Sequence, residues 1–241
     1  MYLKIAVMNN SGNVGKSMIC DNLLKQRIPN AKVIKIETIN SDGTTDETIS
    51  AKNIKQVFEE IDSNDIAIID VGASNIESFS DNLRKLNGAH EDIDYFFIPT
   101  TPKPKQQTDT INTINELQEL GVEDEQLKII FNFFDDNIPP QSLYNQIFNH
   151  QIAKDLNLDN ADNIITITDN PCFDMIGELG YTFSEIANDE RDFKSLIRST
   201  DDKEERAHYS HLRSAQRLAK GFTKELDITF DKIMSSCNIK F

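Results

Sequence analysis

Six short apolar runs alternate along this chain with stretches of helical spacing, and that alternation limits the possible folds more than any other feature. The runs lie at Leu3–Met8, Lys32–Ile36, Asp65–Val71, Asp94–Ile98, Leu127–Phe131 and Asn163–Ile167. Each is closed by turn-forming or polar residues and has the length of a buried strand. Between them, helical spacing is predicted over Ser17–Arg27, Lys52–Ile61, Ser74–Leu86, Gln106–Leu120, Pro140–Leu156 and Phe173–Ala187. Strand and helix in alternation require crossover connections, hence an α/β fold with a mostly parallel sheet flanked by helices on both faces. Ligands of such sheets bind beyond the carboxyl ends of the strands, in the loops that open the helices. A polar linker, Arg198–Glu205, precedes a last helical stretch reaching about Met234. The expected organisation is one α/β domain over residues 1–190 with a C-terminal helical extension, 191–241, packed on it.

The first of those loops is the most specific. The opening strand runs into Asn9-Asn10-Ser11-Gly12-Asn13-Val14-Gly15-Lys16-Ser17, and a helix follows at once. Gly-x-x-Gly-Lys-Ser in that position reads as a phosphate-binding loop. Its backbone N–H groups and the helix N-terminus surround phosphate oxygens, Lys16 neutralises β/γ charge, and the Ser17 hydroxyl ligates Mg²⁺. Gly12 and Gly15 supply dihedrals and close approach that a side chain would block. The standard motif has glycine where this chain has Asn10. The expected nucleotide contacts are Ser11, Gly12, Asn13, Val14, Gly15, Lys16, Ser17 and Met18.

Asp70 closes a strongly apolar strand, where a carboxylate is costly unless a cation or hydrogen bonds meet it. It pairs with Ser17 as the expected Mg²⁺ site, against the plainer reading of a helix N-cap. Asn132, after another apolar strand, fits a base-reading amide, and adenine is favoured over guanine because the Asn-Lys-x-Asp pattern is incomplete. Pro171, in Thr168-Asp169-Asn170-Pro171, sits among ordinary turn formers, and only a family resemblance makes it a candidate for the same base.

Gly12-Asn13-Val14-Gly15-Lys16-Ser17 resembles the deviant Walker A motif of the ParA/MinD family of ATPases, whose usual form is Lys-Gly-Gly-Val-Gly-Lys-Thr. Ala67-Ile68-Ile69-Asp70-Val71-Gly72 resembles the family's Walker B segment, Ile98-Pro99-Thr100-Thr101-Pro102 its fourth-strand region, and Ile129-Ile130-Phe131-Asn132 its base-contacting strand end. The resemblance covers about residues 3–187 and is nearest to plasmid-stability members. It implies a P-loop NTPase fold, bound ATP and Mg²⁺, a nucleotide-dependent homodimer, and action with DNA or a DNA-bound adaptor protein. Two departures bear on turnover. Ser11 stands where the family carries its signature lysine, and the stretch equivalent to its Asp-x-Asp is Glu37-Thr38-Ile39-Asn40. Phosphoryl transfer depends on positioning and charge neutralisation, so slow hydrolysis with binding intact is expected. Glu37 or Asp42 would then supply the water-orienting carboxylate beside Lys16.

Charge is separated along the chain. The net formal charge is −15, yet residues 191–241 carry 11 Lys+Arg against 8 Asp+Glu, a net +3, which leaves −18 for residues 1–190. On a helical projection, Arg206, Arg213, Arg217, Lys220 and Lys224 form one stripe, while Leu212, Ala215, Leu218, Ala219, Phe222 and Leu226 lie opposite. A line of cations along a helix can meet successive phosphates of a duplex; the plainer alternative is a solvated face balancing an acidic body. His208 and His211 lack a third ligand and are not expected to hold metal.

Three scattered cysteines exclude a disulfide scaffold, and no apolar stretch approaches the roughly 18 residues of a membrane span. The expected setting is cytoplasmic, with no membrane partner. Two other functions fit the sequence less well: a metabolic P-loop ligase resembling dethiobiotin synthetase, and a module that senses ATP without hydrolysing it.

Overall fold

The computed structural model describes residues 1–37, 48–50, 53–86 and 88–241. Its centre is a wholly parallel sheet of β1 (Leu3–Val7), β2 (Lys32–Ile36), β3 (Thr48–Ile49), β4 (Ile66–Val71), β5 (Tyr95–Thr100), β6 (Leu127–Phe134) and β7 (Ile165–Thr168). The spatial order is β3-β2-β4-β1-β5-β6-β7. All six expected strands are present, and the two-residue β3, too short to show as an apolar run, extends the sheet beyond β2. β1 and β4 are buried along their whole length, as central strands covered on both faces must be. Their pairing sets Val7 beside Asp70, so the loop leaving β1 and the carboxylate ending β4 start as neighbours.

The crossover helices include α1 (Lys16–Met18, continuing as a π-helical stretch over Ile19–Leu24), α2 (Ile54–Asp62), α3 (Ile76–Lys85) and α4 (Pro104–Glu119). One core packs Ile34, Ile36, Ile69, Val71, Phe96, Ile98, Ile129 and Phe131 of the sheet against Val57, Ile61, Phe79, Leu83, Ile114 and Leu117 of these helices. Lys4 is buried in β1, where its ammonium donates to the Ile61 and Asn64 carbonyls at the end of α2. Ile61 is in the last turn of α2 and Asn64 just beyond its end, so the buried ammonium is met by carbonyls of the chain leaving that helix.

Two expected helices are broken. The stretch 140–156 forms Pro140–Leu143, Asn145–Phe148 and Ile152–Asp155, because Tyr144 leaves helical geometry (φ −113°, ψ 43°). Tyr144 is buried and donates its hydroxyl to the Asn132 carbonyl at 2.8 Å. The stretch 173–187 divides into Cys172–Glu178 and Phe183–Ala187: Gly180 turns the chain at φ +73°, and Thr182 restarts it with a capping box to Glu185. The expected linker shrinks to residues 200–202, between helices Phe193–Ser199 and Lys203–Ser236.

Packing divides the chain into two compact units, Met1–Thr168 with Phe230–Phe241, and Asp169–Thr229, rather than at 190/191. In the first, the C-terminal residues are tied in by Tyr95 Oη donating to the Cys237 carbonyl at 2.6 Å and Lys232 Nζ to the Ile164 carbonyl at 2.6 Å. The second is built around Phe173, Phe183 and Phe222, whose ring centroids lie 5.3 to 6.0 Å apart. No helix among the described residues is long and apolar enough to cross a membrane.

Candidate functional site

The loop after β1 is fixed by side chains far away in sequence. Asn9 is wholly buried; its amide donates to the Pro99 carbonyl at 2.8 Å and Thr110 Oγ1 at 2.7 Å, and its oxygen accepts from the Ser11 N–H at 2.7 Å. Asn10, in the place of the usual glycine, has its N–H on Thr113 Oγ1 at 3.1 Å and its amide on Glu116 at 3.3 Å. Ser11 donates to Asp109, which also accepts from Lys105 at 3.0 Å, and Gln106 donates to the Gly12 carbonyl at 3.1 Å. One face of α4 therefore braces the loop from Asn9 to Gly12. Burial pushes the Asp109 carboxyl up, but the Ser11 and Lys105 hydrogen bonds outweigh it and hold it below the ordinary aspartate range.

At the far end of the loop, Gly15 is required. Its φ is +92°, and a Cβ there would stand 2.1 Å from Asn132 Nδ2. The absent side chain lets Asn132 lie against the loop and donate to the Val14 carbonyl at 3.0 Å. Gly12 differs: a Cβ there would meet no protein atom within 4 Å, so packing does not demand glycine at 12. Asn13 takes the loop's other left-handed position at φ 55°, a role asparagine tolerates. Val14 is buried and Met18 half-buried.

Lys16 opens α1, buried, with its ammonium on the Asn9 carbonyl at 3.2 Å and the Ser11 carbonyl at 2.7 Å. Burial lowers its pKa while Asp70 opposes the shift. Asp70 is buried as well. The Ser17 hydroxyl hydrogen-bonds it, yet its Oδ2 has no partner. Burial raises the Asp70 pKa, against the opposing pull of Ser17 and Lys16. A buried, half-satisfied carboxylate beside a serine hydroxyl and an ammonium is an incomplete polar network. Its oxygen donors suit a hard cation.

Glu37 is exposed at the end of β2, where its Cγ would lie 3.5 Å from a Cβ placed on Gly72, at the end of β4. It thus stands on the same carboxyl edge of the sheet as Asp70. Asp42, with Thr38, Ile39 and Asn40, lies outside the described residues. Pro171 belongs to the second unit, exposed at the start of helix Cys172–Glu178.

Among solved structures, MinD of Aquifex aeolicus aligns at 13% identity and TM-score 0.50, covering 88% of this chain and 96% of that one. A putative plasmid partition protein of Borrelia burgdorferi, bound to AMPPNP, aligns at 14% and 0.50 over 89% and 98%. Apo McdA of Cyanothece aligns at 15% and 0.50 over 89% and 99%. The fold is that of the MinD and ParA ATPases. No protein-family model and no curated protein matches the sequence.

Within this MinD/ParA fold the sequence motifs fall at the carboxyl ends of β1, β4 and β6, where α/β sheets hold ligands. The residues that sequence reasoning missed are the braces: Asn9, Gln106, Asp109, Thr110 and Thr113. Their one visible trace is a polar stripe at helical spacing on α4, of which Gln107, Thr110 and Thr113 are buried.

The basic stripe lies on the helix Lys203–Ser236, mostly in the second unit. Arg206, Arg217, Lys220 and Lys224 are exposed and Arg213 half-buried, while Leu212, Ala215, Ala219, Phe222 and Leu226 are buried. Two of its cations are turned to carbonyls: Arg206 to Thr200 at 2.5 Å, and Lys220 to Asp189 at 3.3 Å.

Proposed function

We propose that this protein is a ParA/MinD-type nucleotide switch that works in plasmid stability or partition, similar to the plasmid-stability protein StbB. The observation that carries the reading is the unpartnered Asp70 Oδ2, buried beside Ser17 and Lys16 at the open end of the glycine loop. The backbone of residues 11–18 would receive the phosphates of ATP, with Lys16 leaving the Asn9 and Ser11 carbonyls for phosphate oxygens. Ser17 and Asp70 would hold Mg²⁺, which when bound neutralises phosphate charge and fixes its geometry. Asn132 reads the base, and Pro171 is a second candidate for that role.

Glu37 is the described carboxylate best placed to orient water, and Asp42 its rival. The serine at position 11 is engaged by Asp109 and brings no positive charge to the phosphates, which favours slow hydrolysis and a long-lived ATP state over rapid turnover. ATP would promote a homodimer in the cytoplasm. The exposed stripe Arg206, Arg213, Arg217, Lys220 and Lys224 would meet duplex phosphates without reading sequence, with a DNA-bound adaptor as further partner.

The test is binding of the full chain to a random-sequence duplex with Mg-ATP, Mg-ADP or no nucleotide across a salt series. ATP-dependent binding that weakens steeply with salt supports the switch. Equal binding in all three states refutes nucleotide control, and no binding in any state refutes the DNA partner.

A further inference from the structure

We propose that Lys105 leaves Asp109 to meet the terminal phosphate of a nucleotide in the Gly12–Ser17 loop, and so makes the site prefer ATP to ADP; the assignment rests on the nucleotide-switch reading above. α4 opens at Pro104, and its first turns lie against the loop. Gln106 donates to the Gly12 carbonyl at 3.1 Å, and Asp109 accepts from the Ser11 hydroxyl. Lys105 stands one residue before the first contact and one helical turn before the second. Its ammonium donates at 3.0 Å to Asp109 Oδ2, the same oxygen that takes the Ser11 hydrogen. Two hydrogen bonds meeting at one oxygen bring Lys105 Nζ within ~6 Å of Ser11 Oγ.

The two lysines at the loop are held differently. Lys16 is buried, on the carbonyls of Asn9 and Ser11. The Lys105 side chain is 85% exposed, and its one charged contact is an i, i+4 pair with Asp109. Pairs of that kind add little to stability, so the ammonium leaves the carboxylate at small cost. A compact charge on a flexible four-carbon stem suits a phosphate that is present in one state and absent in the other.

The direction of the loop locates the terminal phosphate. Asn132, the proposed base reader, touches the loop at Val14, beside Gly15. The phosphate chain then runs from that end towards Ser11 and Gly12. There Lys16 Nζ lies 2.7 Å from the Ser11 carbonyl, and a Cβ on Gly12 would meet no protein atom within 4 Å. Open space beside Gly12, with one ammonium on each side, suits the most highly charged part of a triphosphate. A cation that meets this phosphate equally before and during transfer strengthens ATP binding without speeding hydrolysis. That is the behaviour a long-lived ATP state requires.

The experiment compares Mg-ATP and Mg-ADP affinities of the full chain in wild type, Lys105→Met, Lys105→Arg, Asp109→Asn and the control Lys55→Met. Lys55 makes the same kind of exposed i, i+4 pair, with Glu59 at 3.5 Å on α2. Lys105→Met keeps the length of the stem and loses the charge; it is expected to weaken ATP roughly tenfold, the scale of one hydrogen bond to a charged group, and ADP by less than about twofold. Lys105→Arg should retain most of the ATP affinity, and Lys55→Met all of it. Asp109→Asn frees the ammonium, so its ATP affinity should equal or exceed that of wild type. Equal losses of ATP and ADP in Lys105→Met, or no loss of ATP, overturn the assignment and leave the nucleotide reading standing. A loss in Asp109→Asn as large as that in Lys105→Met also overturns it, because Lys105 would then act only by bracing the loop. Wild type that binds neither nucleotide overturns the nucleotide reading, and this assignment with it.

Discussion

The glycine loop and the basic stripe are both rows of polar residues proposed to meet anions, but they are held in opposite ways. In the loop, Asn9, Ser11, Lys16 and Asn132 are buried; Lys16 bonds within the loop, while Asn9, Ser11 and Asn132 also join the loop to other elements, across as many as 118 residues. In the stripe, four of five cations are exposed, and the intramolecular bonds of Arg206 and Lys220 reach only 6 and 31 residues. A buried polar group without its partner pays the full cost of desolvation, whereas an exposed charge trades a partner for water and salt. The loop is therefore a preformed site in which single changes are large and coupled. The stripe is a field in which single changes are small, additive and screened.

The largest effect that would sharpen this contrast comes from Gly15→Ala. The Cβ would collide with Asn132 Nδ2 and sit at φ +92°, so a loss of ~2–3 kcal/mol in urea unfolding is expected from clash and backbone strain together. Adding Asn132→Ala should return the clash part and leave the strain. Gly12→Ala, with open space around it, should stay within about 0.5 kcal/mol of wild type. Equal losses at the two glycines would break the picture of a loop locked at one end.

Asp70→Asn should stabilise the protein in the absence of ligands while weakening Mg-ATP binding. Burial holds this carboxyl above the ordinary aspartate range, so between its unfolded and folded pKa values the folded state binds more protons, and stability falls as pH rises. Asparagine removes that fall, so a higher Tm than wild type is expected at pH 7. A lower Tm at neutral pH would contradict the strained-carboxylate account.

The Ser11–Asp109 brace should be worth about 1 kcal/mol in a double-mutant cycle of Ser11→Ala and Asp109→Asn at pH 7. The Asp109 carboxyl is held below its ordinary value, so its contribution is full above the unfolded pKa of about 3.9 and is lost as pH falls through the lower folded value. A coupling that persists unchanged well below that range would show that the carboxylate is not the partner that matters. The smallest effect belongs to the stripe: Arg213→Ala, Arg217→Ala and Lys224→Ala together should move stability by less than about 0.5 kcal/mol. They should lower the salt slope of duplex binding by about 0.9 for each phosphate no longer neutralised.

Local features were legible in the sequence and distant ones were not. The strands, the glycine loop and Asp70 declare themselves within a few residues, since apolar runs and Gly-x-x-Gly-Lys-Ser are local patterns. The amphipathic faces of Lys203–Ser236 were legible for the same reason. Pro140–Leu156 misled because its apolar spacing is helical throughout, while the break at Tyr144 comes from a hydrogen bond to Asn132, twelve residues away on another element. The α4 brace was hidden because Ser11 and Asp109 are 98 residues apart.

The central claim is that the Gly12–Ser17 loop with Lys16 and Asp70 holds a nucleotide, and equilibrium titration of Mg-ATP into wild type and Lys16→Ala tests it most directly. The account predicts saturable one-to-one binding to wild type, reduced at least tenfold in Lys16→Ala. ATP affinity unaltered by that substitution would contradict it.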